Sequence, residues 1–272
     1  MTHAGHWPNS VRLYLASFLV VGMSLSVLGP ALTELRDKSG AGIGGIGVLF
    51  MGQSLGYVCG SVMGGRLYDR FDGHRVFAGA LLLLAAGLFI VPSFDTRAGL
   101  FAAFVLTGLG GAVTDLGANT MLMWELKAAG GRAMNTLHLF FGIGALAAAL
   151  LVYAGLAVAT RSGSALCLVL AAWSFTIPSP QRPAVARDEH TDTTVPLLAL
   201  IGLFFTLYVG TELGFAGWVK TYGEEIDFSA LAATWLNTDF WIAFTLGRAV
   251  ARAIAHRGTP VTVLWVSCSA TV

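Results

Sequence analysis

Charge is what this chain most lacks. Of 272 residues, 11% are Asp, Glu, Lys or Arg, under half the share of about 25% typical of soluble domains. With so little charge to wet a surface, an ordinary soluble enzyme, a nucleic-acid binder and a disordered chain are excluded. The net charge of +1 offers no surface for polyanions. Cysteine is equally scarce: Cys59, Cys167 and Cys268 all lie in apolar runs and have neither disulfide nor metal spacing, so they read as small buried hydrophobes. No P-loop is present, which argues against ATP-driven pumping. The segment Gly42-Ile43-Gly44-Gly45-Ile46-Gly47 opens an apolar helix and follows no strand, so it is not a dinucleotide loop. Neither a cofactor nor a metal is expected. The 34 glycines have no three-residue period, which excludes a collagen.

What is present is long apolar sequence: 56% hydrophobic residues and a mean hydropathy of +0.73. Crossing the hydrocarbon core takes roughly 20 apolar residues. Eight such stretches are expected, near 11–33, 43–65, 76–94, 99–126, 135–159, 165–177, 195–219 and 228–255, and a ninth begins at Pro260 and is too short to span. The expected fold is therefore an all-α polytopic membrane protein. Orientation follows from Lys and Arg in the short loops. Arg12, Arg66, Arg70, Arg75, Lys127, Arg132, Arg182, Arg187, Arg248, Arg252 and Arg257 fall on one side, and only Arg36, Lys38, Arg97, Arg161 and Lys220 on the other. This excess predicts a cytoplasmic N-terminus. The length of the first apolar run argues against a cleaved signal peptide.

The one long polar stretch, 179–194, holds Pro180, Pro183, Asp188, Glu189 and Asp192 and reads as a flexible cytoplasmic linker. It divides the chain into a six-helix domain, 1–178, and an incomplete second domain, 195–272. The link after the second span contains Gly65-Arg66, Arg70 and His74-Arg75. The link after the eighth contains Gly247-Arg248, Arg252 and His256-Arg257, each offset by 182 residues. An equal offset at the second span of each half argues for a parallel internal repeat.

Six spans, a central linker and a Gly-x-x-x-Asp-Arg link after span two resemble the major facilitator superfamily. Gly65, Asp69, Arg70, Gly73 and Arg75 match its loop signature with one extra residue between Arg70 and Gly73, and the second copy has Ala251 in place of the Asp. Thr114-Asp115-Leu116-Gly117-Ala118-Asn119, Asn135-Thr136-Leu137-His138, Phe140-Phe141-Gly142-Ile143-Gly144, Gly210-Thr211-Glu212 and Gly217-Trp218 are similar to the fucose-permease-like branch, which includes sodium-dependent glucose transporter relatives. The resemblance implies a twelve-span fold of which this chain would hold about eight spans. It also implies a coupling acid at Asp115 and a cytoplasmic latch in the 65–75 loop, with Gly247 and Arg248 as its second copy. Asp69 is expected to pair with Arg70, Arg75 or Arg132.

An ionisable group at membrane depth is a functional candidate by default. Asp115 and Asn119 share a helix face, as do Asn135 and His138. The turn between these helices centres near Ala129, which puts Asn119 and His138 at one depth, with Asp115 a turn deeper opposite Gly142 and Gly144. One polar cluster is expected there: Asp115 and His138 for proton coupling, and Asn119 and Asn135 for solute hydroxyls. A structural hydrogen-bond cluster is the alternative. Glu212, in the outer third of span seven, and Asp239, near the midplane of span eight, are further solute-binding candidates. Trp218 and Trp241 are stacking candidates for a sugar ring. Gly52, Gly56, Gly60 and Gly64, spaced by four, form a smooth stripe for close helix approach. The family implies that this stripe slides between the halves, with its partner in the absent region.

These observations point to a secondary transporter, not an enzyme, in the cell membrane and monomeric. It would move a small polar solute, most plausibly a sugar, by alternating access with H⁺, or alternatively Na⁺, as the coupling ion. A solute-binding receptor and a membrane-embedded transferase are the rivals. The transferase would need a catalytic cluster at one lipid surface, whereas these acids are scattered in depth. The unfinished ninth span predicts that the 272-residue product is a fragment that does not transport alone.

Overall fold

The computed structural model describes residues 7–127, 130–183 and 195–254, and these are helical throughout apart from short turns. The helices are α1 (Asn9–Ser26), α2 (Leu28–Ser39), α3 (Ile43–Ile46), α4 (Val48–Arg70), α5 (Gly73–Ile90), α6 (Arg97–Leu126), α7 (Gly130–Tyr153), α8 (Leu156–Ser174), α9 (Val195–Glu225) and α10 (Ala230–Ile254), with a single 3₁₀ turn at Val91–Ser93. Among the described residues, six helices are long and apolar enough to cross a membrane, or seven if the bent pair α1–α2 is one span. Eight were expected. The shortfall is α10, which carries Asn237, Asp239 and Arg248 within its length. The expected ninth segment, Cys268 and the second His-Arg pair lie outside the described residues, as do positions 184–194 of the expected linker.

Local chemistry explains where the helices break. The first span bends by 42° between α1 and α2. Pro30 lacks an N–H and its ring crowds the carbonyl four residues earlier, which bends a helix at that turn. Gly40 ends α2 at φ +62°, with Ala41 N–H returning to the Arg36 carbonyl at 3.2 Å; this left-handed cap costs a glycine little. Asp72 caps α5 by accepting from the Arg75 N–H at 3.0 Å, and Thr96 caps α6 from the Gly99 N–H at 3.2 Å. The expected fifth span, 135–159, is corrected. Gly155 at φ +128° turns the chain, so α7 ends at Tyr153 and α8 starts at Leu156. The apolar run Leu151–Ala159 hides that turn, because only the glycine marks it. The sixth span is accordingly longer at its start than the expected 165–177.

The bundle has two ends. One, the near end, holds Asn9, the 70–73 loop and the exit of α8. The far end holds the α2–α3, α5–α6, α7–α8 and α9–α10 turns. α6 packs most extensively on α4 and then on α5; α1 packs on α7, α5 on α8, α2 on α9 and α10 on α7. One apolar core, built on Tyr14, Phe77, Leu81, Leu84 and Leu137, fills the near half. A second, built on Leu28, Leu32, Leu35, Leu49 and Phe104, fills the far half. Outward faces stay apolar: Met51, Val58, Val62, Phe89, Leu150 and Val169 are all exposed, as a surface against lipid requires. The chain is an all-α, multi-pass membrane protein.

The glycine stripe sets the closest approach. Gly52, Gly56, Gly60 and Gly64 are buried and face α6. A Cβ at Gly56 would overlap the Val105 carbonyl oxygen, and one at Gly60 would overlap Leu109. Gly108 answers from α6, where a Cβ would overlap the Gln53 carbonyl oxygen. The expectation that the stripe's partner lies in the absent region is therefore corrected: α6 of the same half takes it. Spacing by four names a smooth face but not the helix laid against it.

Candidate functional site

The close α4–α6 packing creates the first polar constellation. Tyr57 follows Gly56 on α4, and its hydroxyl donates to Asp115 Oδ2 on α6. Asn119, one turn beyond Asp115, donates from Nδ2 to Asp115 Oδ1 at 2.7 Å and to the Asp115 carbonyl at 3.0 Å. Both carboxylate oxygens thus accept from neutral donors. Among the described residues Asp115 makes no ion pair: the salt bridges there all lie near the two ends. A carboxylate within the bilayer with neutral partners can take up a cation without first breaking a salt bridge.

His138 and Asn135 do not join it. The His138 ring stands edge-on to Phe18 of α1 at 5.6 Å, and Asn135 is exposed. Gly142 faces Thr245 of α10, and Gly144 faces the Leu19 backbone of α1, so neither makes room for Asp115. The expected four-residue cluster divides because sequence neighbours α6 and α7 share little contact: α6 packs chiefly on α4 and α5, and α7 chiefly on α1 and α10. Tyr57 was missed. Its signal was in view, since a tyrosine beside a close-packing glycine lies near the helix that glycine admits.

A second constellation lies between α9 and α10. Phe204, Leu207, Tyr208, Thr211, Glu212, Phe240 and Phe244 line an open-sided cleft of about 560 Å³. Tyr208 and Glu212 line the same cleft, one helical turn apart on α9, and the Arg248 guanidinium sits 4.4 Å over the Phe244 ring, a cation–π geometry. Asp239 faces outward, exposed, while Asn237, Thr238 and Trp241 of the same helix are buried. Trp241 is packed by Phe141, Phe240 and Phe244. Trp218 stacks at a tilt on Phe50, centroids 5.7 Å apart, and presses on Gly47; it fills a seam between α9 and the α3–α4 region. Tyr208 and the inward role of Arg248 were not anticipated.

At the near end, the 65–75 loop is tied to the chain after α8. Asp69 pairs with Arg182 at 3.0 Å, not with Arg70, Arg75 or Arg132. Arg70 and Arg75 are exposed. Gly73 is needed for fit, because a Cβ there would meet Met121 Sδ at 2.7 Å and Ser179 Oγ at 3.0 Å. Gly247, in contrast, has nothing within 4 Å of an added Cβ among the described residues. His74 is the hub. Its Nδ1 lies 2.8 Å from the Ile177 carbonyl, its Nε2 2.7 Å from the Tyr14 hydroxyl, and its backbone N–H donates to Ser179 Oγ at 3.2 Å. A carbonyl only accepts, so Nδ1 carries the proton and Nε2 accepts from Tyr14.

At the far end, α2 is clasped to α9. Arg36 pairs with Glu225 at 2.9 Å, Thr33 donates to Glu224, and Lys220 donates to the Pro30 carbonyl at 2.8 Å while pairing with Glu224 at 3.2 Å. Gly29 lets the backbones meet, since a Cβ there would lie 2.7 Å from the Ala216 carbonyl oxygen. Among the described residues, no three His, Cys, Asp or Glu side chains are placed to hold a metal.

Comparison with known proteins agrees with this architecture. The family model described as Major Facilitator Superfamily matches residues 14–272. The Xenopus laevis sodium-dependent glucose transporter 1 is 27% identical over 90% of this chain and 58% of its own length. The Mus musculus sodium-dependent glucose transporter 1A is 26% identical over 93% and 70%, and the Rattus norvegicus sodium-dependent glucose transporter 1 is 36% identical over 53% and 30%. Among solved structures, the nucleoside transporter NupG superposes with a TM-score of 0.56 at 19% identity, over 83% of this chain and 56% of its own. The POT family transporter PepTSo gives 0.53 at 17%, over 94% and 56%. The two structures bear on fold alone. The chain spans little more than half the length of several proteins it matches, and those proteins are named as transporters, not enzymes.

Proposed function

Because the chain belongs to the major facilitator superfamily, we propose that it is the larger part of a secondary transporter for a small polar solute, a sugar, coupled to H⁺ through Asp115. It sits in the cell membrane as a monomer, its N-terminus in the cytoplasm, with eight spans and the start of a ninth. The 1–178 and 195–272 segments rock about a midplane site. The observation that carries the reading is the Asp115 carboxylate, held by Tyr57 and Asn119 with no cationic partner among the described residues. Neutral donors orient both oxygens, so loading one proton changes the net charge of the site and rearranges its hydrogen bonds. Asn119 is then shared between the carboxylate and a solute hydroxyl. Glu212 and Trp241 serve the solute from the other half, and His138 sits beside the path. The Asp69–Arg182 tie and the 65–75 loop latch the cytoplasmic side. The sodium-dependent names of the relatives favour Na⁺ as the second reading.

Linkage provides a test that does not require turnover, because an ion that drives a solute must change its affinity reciprocally. Hexose binding to the purified chain in lipid nanodiscs is measured against pH and against Na⁺. Under H⁺ coupling, affinity rises as pH falls, is indifferent to Na⁺, and loses its pH dependence in Asp115→Asn. Na⁺-dependent affinity that persists in Asp115→Asn refutes the proton role.

A further inference from the structure

We propose that Asn237 and Trp241 of α10 form a hydroxyl-reading subsite for the solute, one ring's depth behind the Glu212 cleft. This rests on the reading of the chain as a sugar carrier and adds the place where one hydroxyl is recognised. The evidence is a pair of orphaned atoms. Asn237 is 0% exposed and Trp241 1%, yet among the described residues Asn237 Oδ1 and Trp241 Nε1 have no hydrogen-bond partner. Buried polar side chains in native proteins are paired in the large majority, and within a bilayer no solvent stands in for the missing partner.

The chemistry of the pair selects its ligand. Asn237 Nδ2 donates to the Ala216 carbonyl at 2.6 Å. A carbonyl only accepts, so this bond fixes which amide atom is nitrogen and where Oδ1 points. Oδ1 is an acceptor, and the indole Nε1–H, one helical turn away, is a donor. A C–OH group satisfies both, donating to Asn237 and accepting from Trp241. An ammonium would leave Trp241 unpaired, and a carboxylate would leave Asn237 unpaired. Trp241 stands one ring back from open space. Phe240 and Phe244 line the cleft, and Trp241 stands edge-on to them at 5.0 and 5.4 Å. Phe141 of α7 also packs on Trp241, at 6.1 Å. Swinging the phenyl rings, or parting α7 from α10 as the halves move, admits a hydroxyl.

The test titrates D-glucose and its monodeoxy analogues into the purified chain in nanodiscs. A site built to bond a hydroxyl rejects the analogue that lacks it. Wild type is expected to bind one deoxy analogue about tenfold or more weaker than D-glucose, with the others less affected. Trp241→Phe keeps a ring and deletes the N–H. In that variant D-glucose weakens and the penalty for the same analogue falls to within about twofold; Asn237→Leu behaves likewise. The wild-type analogue profile needs no variant and tests the proposal even if a variant does not fold. A flat profile, or a penalty unchanged in Trp241→Phe, overturns the subsite while leaving the sugar reading intact. Wild type that binds no hexose overturns both.

Discussion

Replacing Gly56 with alanine sets two effects of opposite sign against each other. Alanine is a better helix former than glycine by about 1 kcal/mol, so on helix propensity alone the variant gains stability. The added Cβ, however, would overlap the Val105 carbonyl oxygen and lie 2.9 Å from both the Leu109 nitrogen and the Val105 carbonyl carbon. These are backbone atoms in the middle of α6, so no side-chain rotation relieves the contact and the helices must part. Overpacking costs about 1–3 kcal/mol; with unyielding backbone the upper part of that range applies, and the net expectation is a loss of about 1–2 kcal/mol. For a chain of this size that is a fall in Tm of roughly 2–8 °C, read by thermal unfolding of purified protein in a mild detergent. Gly65→Ala is the internal control: it lies on the same helix with nothing within 4 Å of the new Cβ, so it should match wild type or exceed it. Parting α4 from α6 also withdraws Tyr57 from Asp115, so Gly56→Ala should weaken hexose binding where Gly65→Ala does not. A Gly56→Ala protein at or above the wild-type Tm would refute the claim that the stripe is closed by α6.

Tyr57→Phe keeps the ring and removes one of the two neutral donors on Asp115, and should shift the midpoint of pH-dependent hexose binding while Tm stays within a few degrees; an unchanged midpoint would show that the hydrogen bond is idle. His74→Ala removes two side-chain hydrogen bonds and leaves the Tyr14 hydroxyl unpaired, a loss of about 2–4 kcal/mol, seen as a lower Tm and as faster proteolysis after Ile177. Asp69→Asn breaks only the exposed pair with Arg182, side chains 58% and 47% exposed, so the stability change should stay under about 1 kcal/mol; a larger Tm change would mean the tie is structural. At the far end, Lys220→Met removes the cation beside Glu224, which keeps only Thr33, and leaves the Pro30 carbonyl without its donor, whereas Glu225→Gln loses a carboxylate that is 48% exposed and leaves Arg36 its contact with Asp37; the first should lower Tm clearly more than the second, and the reverse order would place the clasp elsewhere.

Much of this was legible in the residues because the bilayer imposes simple rules. Scarce charge and long apolar runs require helices that satisfy their own backbone. The shared face of Asp115 and Asn119 follows from helical period. The family was readable in the 65–75 loop and in the Asp115 and His138 stretches. What stayed hidden was the identity of each helix's neighbour. Period tells which residues share a face, not what is pressed against it, and nearness in sequence misled: α6 turned to α4, leaving Asn135 and His138 apart from Asp115, while Asp69 found Arg182. Tyr57 met Asp115, and Asn237 met the Ala216 carbonyl of α9, because side-chain volumes across helices distant in sequence had to fit, and that fit is a property of the packed bundle.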